Sequence, residues 1–294
     1  MLIVSSFYKY VHLDNPKNVQ KEVFELCNSF GLKGRVLIGH EGINGSVYGT
    51  KENVDKFKEK LLENHLFSGI DFKEQMTKKP AFRKLFVRLR KEVVHFGVDV
   101  DLDKTASFVT PRELKDMLDN NEDIILLDVR NDYEARVGKF KNAKTVDMKS
   151  FRELPKLLHE IENIKEKRII TYCTGGIRCE KASAFLKENG FKDVMQLKGG
   201  ILAFGKEFPD TYWEGKCFVF DDRLAIKIND LNSEVIGKCD LCGIKCDDLI
   251  NCRNIACDKL FISCEACREK YNKSCSEECG KSEKRRKEFQ LIEN

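Results

Sequence analysis

Three short apolar runs, residues 124–129, 168–172 and 194–197, constrain this chain more than any other feature. Each is continuous rather than alternating, and segments of helical periodicity separate them. A strand that is apolar on both faces must be covered on both faces. Such strands, alternating with helices, predict a parallel sheet between helical layers, an α/β unit. In sheets of that kind reactive groups gather beyond the carboxyl ends of the strands. Cys173 stands there. It follows the second run and opens the segment Cys173-Thr174-Gly175-Gly176-Ile177-Arg178-Cys179, after which a helical pattern covers residues 180–189. A thiol between a strand and a helix N-terminus meets backbone N–H groups and the positive end of the helix dipole. That setting favours the thiolate, the nucleophilic form. Gly175 and Gly176 let the backbone curl around the sulfur, and Arg178 adds a fixed charge. The segment predicts a cradle for an anionic sulfur species. Cys179, one turn into the helix, suits either a packed apolar role or that of a resolving thiol.

The chain ahead of this unit is also legible. Residues 98–107 form an Asp-rich linker, and Thr110-Pro111-Arg112-Glu113 then starts a helix. Thr110 suits the cap, Pro111 the first turn, and Glu113 the return bond of a capping box. Earlier, strands are predicted over 2–10, 34–38, 45–48, 70–73 and 84–89, and helices over 15–30 and 51–64. Val19, Val23, Phe24, Leu26 and Cys27 give the first helix its apolar stripe. His40-Glu41-Gly42-Ile43-Asn44 turns a hairpin. The order strand-helix-strand-strand-helix-strand is the ferredoxin-like arrangement.

Thirteen cysteines is a high number for 294 residues, and nine of them fall between Cys239 and Cys279. The opening residues lack a basic segment followed by a long apolar one, so no signal peptide is expected. No apolar run approaches the ~18–20 residues of a membrane span. Clustered cysteines without an export signal predict metal binding or redox chemistry rather than disulfides. The cluster reads Cys239-x2-Cys242, Cys252-x4-Cys257, Cys264-x2-Cys267 and Cys275-x3-Cys279, with Cys246 extra. Eight thiolates suffice for two tetrahedral Zn2+ sites. Sequential and interleaved pairing both use all eight, and four cysteines can also hold an iron–sulfur cluster. A region this poor in apolar residues needs such staples to fold, and one or two structural Zn2+ ions are the expectation.

Several motifs carry a family resemblance. Asp128-Val129-Arg130-Asn131-Asp132-Tyr133-Glu134 resembles the Asp-x-Arg motif of the rhodanese superfamily. Gly138-Lys139-Phe140-Lys141-Asn142-Ala143 resembles its Gly-His-Ile-x-Gly-Ala segment, with Lys139 in place of His and Asn142 in place of Gly. Cys173 to Arg178 resembles its active-site loop, and Gly199-Gly200-Ile201 the Gly-Gly that follows the last strand. The Cys-x4-Arg spacing is that of the short sulfurtransferase loop, which encloses one sulfur atom. Related phosphatases carry Cys-x5-Arg. Asp128 and Arg130 are then expected to orient the loop through charge-assisted hydrogen bonds.

A narrower resemblance spans about residues 2–280. Gly34-Arg35-Val36-Leu37-Ile38 with Glu41-Gly42-Ile43-Asn44-Gly45, the stretch from Lys84 to Val94, the loop from Cys173 to Lys181 and the stretch from Trp213 to Arg223 resemble the tRNA uridine(34) hydroxylases. The resemblance implies oxidation of the wobble uridine to 5-hydroxyuridine with molecular oxygen as co-substrate. Cys173 matches the family's active-site cysteine, assigned as a persulfide intermediate, and Thr174, Gly175, Gly176, Ile177 and Arg178 complete its loop. The implied partner is the anticodon region of tRNA rather than DNA or a membrane, and with no signal peptide expected the cytoplasm is the expected location. No flavin or nicotinamide fingerprint appears, so the electron donor stays open. A thiolate or persulfide adding to C6 of uracil would make C5 electron-rich. Two other readings use the same residues: a sulfurtransferase or persulfide carrier, and a tRNA-binding adaptor without catalysis.

The domain organisation that follows is a ferredoxin-like, acylphosphatase-like α+β domain over 1–97 and a linker with lead-in helix over 98–120. A rhodanese-like parallel-sheet α/β domain over 121–216, a connector over 217–238, a small Cys-rich domain over 239–280 and a basic tail over 281–294 complete it. Net charge is +4, but its distribution is uneven. Lys78, Lys79, Arg83, Lys84, Arg88, Arg90 and Lys91 crowd one stretch, and Lys281, Lys284, Arg285, Arg286 and Lys287 crowd the tail. Either cluster suits phosphate contact or a solvated face. With tRNA implied, Arg83, Lys84, Arg88, Arg90 and Lys91 become candidate phosphate contacts. Phe82, Phe86 and Phe96 suit base stacking or core packing. Alternation puts Phe86 and Arg88 on one face and Leu85, Val87 and Leu89 on the other, the better core face.

Overall fold

The computed structural model describes residues 1–231 and 234–286. β1 (Leu2–Tyr10), α1 (Pro16–Ser29), β2 (Lys33–Gly39), β3 (Gly42–Thr50), α2 (Lys51–Leu62) and β4 (Lys73–Met76) follow the ferredoxin-like order. Their strands pair antiparallel as β4-β1-β3-β2, and β5 (Leu85–Leu89) adds a parallel edge beside β2. Ile3 and Phe7 of β1, Val36 and Ile38 of β2, and Ile43 and Val47 of β3 pack with Val23, Cys27, Val54 and Phe57 of the helices. Alternation therefore turns Ser6, Tyr8, Arg35, Asn44 and Ser46 to the opposite face.

Two local readings shift. The hairpin is tighter than expected: Gly39 pairs with Gly42, leaving only His40 and Glu41 in the turn. Gly42 makes this feasible, with φ of 136° and a backbone so close to Lys9 that a Cβ would sit 2.1 Å from its carbonyl oxygen. The strand expected over 70–73 begins instead at Lys73. Ile70 is drawn into the core behind a 3-10 turn at His65–Phe67, so pairing starts only after it.

The second sheet is wholly parallel. It is built from β6 (Ser107–Val109), β7 (Ile124–Asp128), β9 (Lys144–Thr145), β10 (Arg168–Tyr172) and β11 (Asp193–Leu197), in the order β6-β11-β10-β7-β9. Between the strands run α3 (Pro111–Asp119), α4 (Asp132–Ala135), β8 (Gly138–Phe140), α5 (Ile177–Glu188) and, after β11, α6 (Gly200–Glu207). Both faces are covered as the apolar runs require. Leu127, Ile169 and Val194 pack with Ala182 and Leu186 of α5, and Leu126, Ile170 and Leu197 with Leu114 of α3 and Ile201 of α6. The capping box at α3 forms with Thr110 and Glu113 in the expected roles. The stretch read as linker does more than connect, because Ser107–Val109 becomes the sheet's edge strand against β11.

β12 (Trp213–Phe218) pairs with β8 and with β13 (Ala225–Lys227). The Cys-rich region adds the hairpin β14 (Leu249–Asn251) and β15 (Leu260–Ile262), then α7 (Glu265–Lys270) and α8 (Glu277–Lys281). Of the basic tail, Lys281 to Arg286 are described and Lys287 lies outside the described residues. No helix among the described residues is long and apolar enough to cross a membrane.

Candidate active site

Cys173 directly follows β10 and its side chain is almost wholly buried, yet it lines a cavity of about 380 Å³. The Gly176 N–H donates to its Sγ at 3.1 Å. Gly176 holds φ of 103°, which turns that N–H inward, and a Cβ there would lie 3.1 Å from the Tyr8 hydroxyl. Gly200 closes the loop from below. The Ile201 N–H donates to the Cys173 carbonyl at 3.0 Å and the Leu202 N–H to that of Thr174 at 3.1 Å. A Cβ on Gly200 would sit 2.4 Å from the same Cys173 carbonyl, so the Gly-Gly motif exists to let α6 approach the loop.

Burial by itself pushes the Cys173 thiol up. The Cys179 thiol, the Arg178 guanidinium and the N–H groups of Arg178 and Gly176 outweigh it and bring the thiol down to about 5. Cys179 moves the opposite way, well above an ordinary thiol, because it is buried and faces the Cys173 sulfur. It stays a protonated thiol facing Cys173 and packs in the core on that side of the sheet.

Arg178 is held by a partner that the sequence did not single out. Its Nη1 and Nη2 donate to Glu134 at 2.5 and 2.9 Å, and Nη2 reaches Thr174 Oγ1 at 3.4 Å. The two side chains are 6% and 0% exposed, so the pair is essentially desolvated. Asp128 and Arg130 form a separate buried pair. Arg130 donates from Nε and Nη2 at 2.9 and 2.6 Å, and the Tyr172 hydroxyl donates to Asp128 at 2.8 Å. These charge-assisted bonds hold the residue before Cys173, which is the orienting role expected of them.

The far wall of the cavity is the free face of the N-terminal sheet, contributing Ser6, Tyr8, Arg35, Asn44 and Ser46. The stretch following β12 adds Val219, Phe220, Asp221 and Arg223. Arg223 grips Asp221 through Nε and Nη2 at 2.8 and 2.6 Å and reaches Gln75 of β4 at 3.1 Å. The two units are fastened beside the site. Lys181 of α5 is 4% exposed and lies 2.8 Å from both Glu41 and Glu92. Tyr8 donates to Glu180 at 3.1 Å and Tyr10 to the Ile177 carbonyl at 3.3 Å. Burial, then the charges of Glu180 and Cys173, push the Tyr8 phenol upward, so it stays a neutral donor. The cavity lies within the ~300–1,000 Å³ of small-molecule sites.

Arg83, Lys84, Arg88, Arg90 and Lys91 are exposed and none lines this cavity. Arg83 pairs with Asp222 at 3.2 Å. Phe82 and Phe96 are core residues, while Phe86 stays 39% exposed.

The cysteines resolve into two groups, Cys239, Cys242, Cys264 and Cys267, and Cys252, Cys257, Cys275 and Cys279. The pairing is interleaved. Within each group the four Sγ atoms lie within 4.8 Å of one another. Nearest separations are 3.6 Å for Cys242–Cys264, 3.6 Å for Cys257–Cys275 and 3.8 Å for Cys275–Cys279. A disulfide requires ~2.05 Å, whereas the edge of a tetrahedron with ~2.3 Å metal–sulfur bonds is about 3.8 Å. Each group can therefore hold one metal ion. Cys246 belongs to neither.

Comparison with known proteins agrees with this architecture. The family model described as a UPF0176 acylphosphatase like domain matches residues 2–93, the rhodanese-like domain residues 110–207, and the rhodanase C-terminal model residues 214–280. A protein from Cytophaga hutchinsonii named tRNA uridine(34) hydroxylase is 44% identical over 275 residues, 93% of this chain and 88% of its own. One of the same name from Streptococcus suis is 42% identical over 95% of this chain and 89% of its own. Another from Bacillus licheniformis is 40% identical over 93% and 86%. With identity of this order across nearly the full length of both partners, the chain belongs to the tRNA uridine(34) hydroxylase family.

Proposed function

We propose that this protein hydroxylates C5 of uridine 34 in the anticodon of cytoplasmic tRNA, with molecular oxygen as oxidant and Cys173 as nucleophile. One observation carries the chemical part: a thiol biased to thiolate faces a cavity of small-molecule size. The Cys173 thiolate adds to C6 of the uracil, and the electron pair of the C5–C6 double bond moves toward C5 and O4. C5 then forms a bond to one oxygen atom derived from O2. The second oxygen leaves as water, taking two electrons and two protons from an external donor. Loss of the C5 proton restores the double bond and expels the thiolate. The loop N–H that holds Sγ also suits a persulfide, which is why a sulfurtransferase is the competing outcome. The test is incubation of unmodified tRNA with protein and reductant, with and without air, followed by nucleoside mass spectrometry. Oxygen-dependent 5-hydroxyuridine is expected. A thiolated uridine would identify the sulfurtransferase, and bound but unaltered tRNA the adaptor.

We further propose that each four-cysteine group binds structural Zn2+. An iron–sulfur cluster inserts its own atoms between the thiolates and spreads them further apart than the 3.6 Å seen here. Elemental analysis is expected to give two zinc ions per chain. Cys242→Ser or Cys257→Ser is expected to lower that to one and to loosen the region around the affected group, as read by limited proteolysis. Iron in the purified protein, with visible absorbance, would contradict the assignment.

A further inference from the structure

The Gly34-Arg35 motif has no part in the chemistry above, yet Arg35 sits at an instructive place. Strand register puts Lys73 opposite Ser6, Ser6 opposite Ser46, Ser46 opposite Arg35, and Arg35 opposite Phe86. Registered neighbours share a face, so these five form one row across the free face of the N-terminal sheet. The first four line the Cys173 cavity. Phe86 continues the row outside it, one strand spacing (about 5 Å) beyond Arg35. The next row carries Tyr8, Asn44, Leu37 and Arg88. The Arg88 guanidinium lies over the Phe86 ring, 4.6 Å from its centroid. Arg35 is exposed, and its side chain makes no ion pair or hydrogen bond to a described residue. On the other side the row is Gln75, Val4, Tyr48 and Lys33, with Val4 and Tyr48 buried against Ala81 and Phe82. Across all three rows the charged residues are Lys33, Arg35, Lys73 and Arg88, with no carboxylate among them.

We infer that this strip from the cavity mouth to Phe86 is a track for single-stranded RNA, holding the nucleotide next to the uridine that enters the cavity. An exposed ring and unpaired guanidiniums on an open sheet face are the chemistry that stacks bases and meets phosphates. The strip is continuous with the cavity, so a base seated against Cys173 leaves its neighbour over Arg35 and Phe86. Arg35 meets the intervening phosphate and Phe86 stacks the neighbouring base, with Arg88 stiffening the ring from its side. Both are positioning residues. The inference rests on the proposed tRNA substrate and adds how that strand is held.

The test uses the full chain and an anticodon stem-loop RNA with uridine at the wobble position. Affinity is measured across a salt series, and 5-hydroxyuridine formation in parallel. Phe86→Ala is expected to weaken binding about tenfold, within the range for one stacked base, with an unchanged salt slope and rescue by Phe86→Trp. Arg35→Ala is expected to reduce the slope of log K against log salt by about 0.7–0.9, the share of one phosphate contact, and Arg35→Lys to restore it. Both side chains are exposed, and unchanged melting curves establish that the fold persists. Wild-type affinity and slope in both Ala variants, with product still formed by the wild type, would overturn the track and leave the proposed reaction standing. Weakened variants together with a wild type that forms no product would support the track and remove the reaction. A wild type that does not hold the RNA would remove both.

Discussion

Cys173→Ala is expected to abolish uridine hydroxylation, by about 10³-fold or more, the scale for loss of a covalent nucleophile. RNA affinity and melting temperature should change little, because the variant loses the Gly176 N–H bond to Sγ but keeps the backbone bonds to the Cys173 and Thr174 carbonyls. Cys173→Ser should be equally inactive. It preserves the shape, but a hydroxyl is not ionised by the same surroundings. The wild-type thiol has a distinct pH signature. Its pKa is lowered to about 5, so the thiolate is present throughout the neutral range and is lost as pH falls through that value. Alkylation of Cys173 by iodoacetamide should therefore proceed at a nearly constant rate from neutral to mildly alkaline pH. An ordinary thiol, near ~8.5, would accelerate across that interval. A Cys173 that reacts like an ordinary thiol would show that burial prevails over Arg178, Cys179 and the loop N–H groups.

Glu134→Ala carries the largest expected effect on stability. Glu134 and Arg178 lie at 0% and 6% side-chain exposure, and neither charge has water to fall back on. Removing the carboxylate strands a buried guanidinium, which costs about 3–5 kcal/mol. Equilibrium unfolding in urea should register that loss in the transition that includes the parallel sheet. Glu134→Gln keeps the shape and one acceptor oxygen and should cost less. Because Arg178 lowers the Cys173 thiol, both variants should also change the alkylation rate of Cys173. A Glu134→Ala protein as stable as wild type would mean that Arg178 finds solvent or another partner.

What could be read beforehand follows from the range of the interactions. The strands around residues 124–129 and 168–172, the capping box of Thr110 and Glu113, and the Cys173 loop all depend on neighbours in sequence. Each left a local pattern. Glu134 lay in plain view within the segment that begins at Asp128, but its partner Arg178 is 44 residues away, and no periodicity links them. The same holds for Lys181 with Glu41 and Glu92. The cavity wall of Tyr8, Arg35 and Ser46 exists only because one unit's open sheet face docks over the other's loop. Spacing identified the eight clustered thiols yet left their pairing open, because interleaving is decided by how the β14–β15 hairpin and the two short helices return on each other. Ile70 illustrates the converse, where demand from the core displaced a strand that local composition favoured.

In the proposed reaction Cys173 drives insertion of an oxygen atom from O2 into uridine of tRNA. The most direct test is digestion and mass spectrometry of unmodified tRNA after incubation with wild-type protein and reductant under heavy-isotope O2 in ordinary water. One heavy oxygen atom in 5-hydroxyuridine, absent from a parallel Cys173→Ala reaction, is the predicted result. Product that takes its oxygen from water, or labelled product formed equally well by the Cys173→Ala protein, would contradict that reaction.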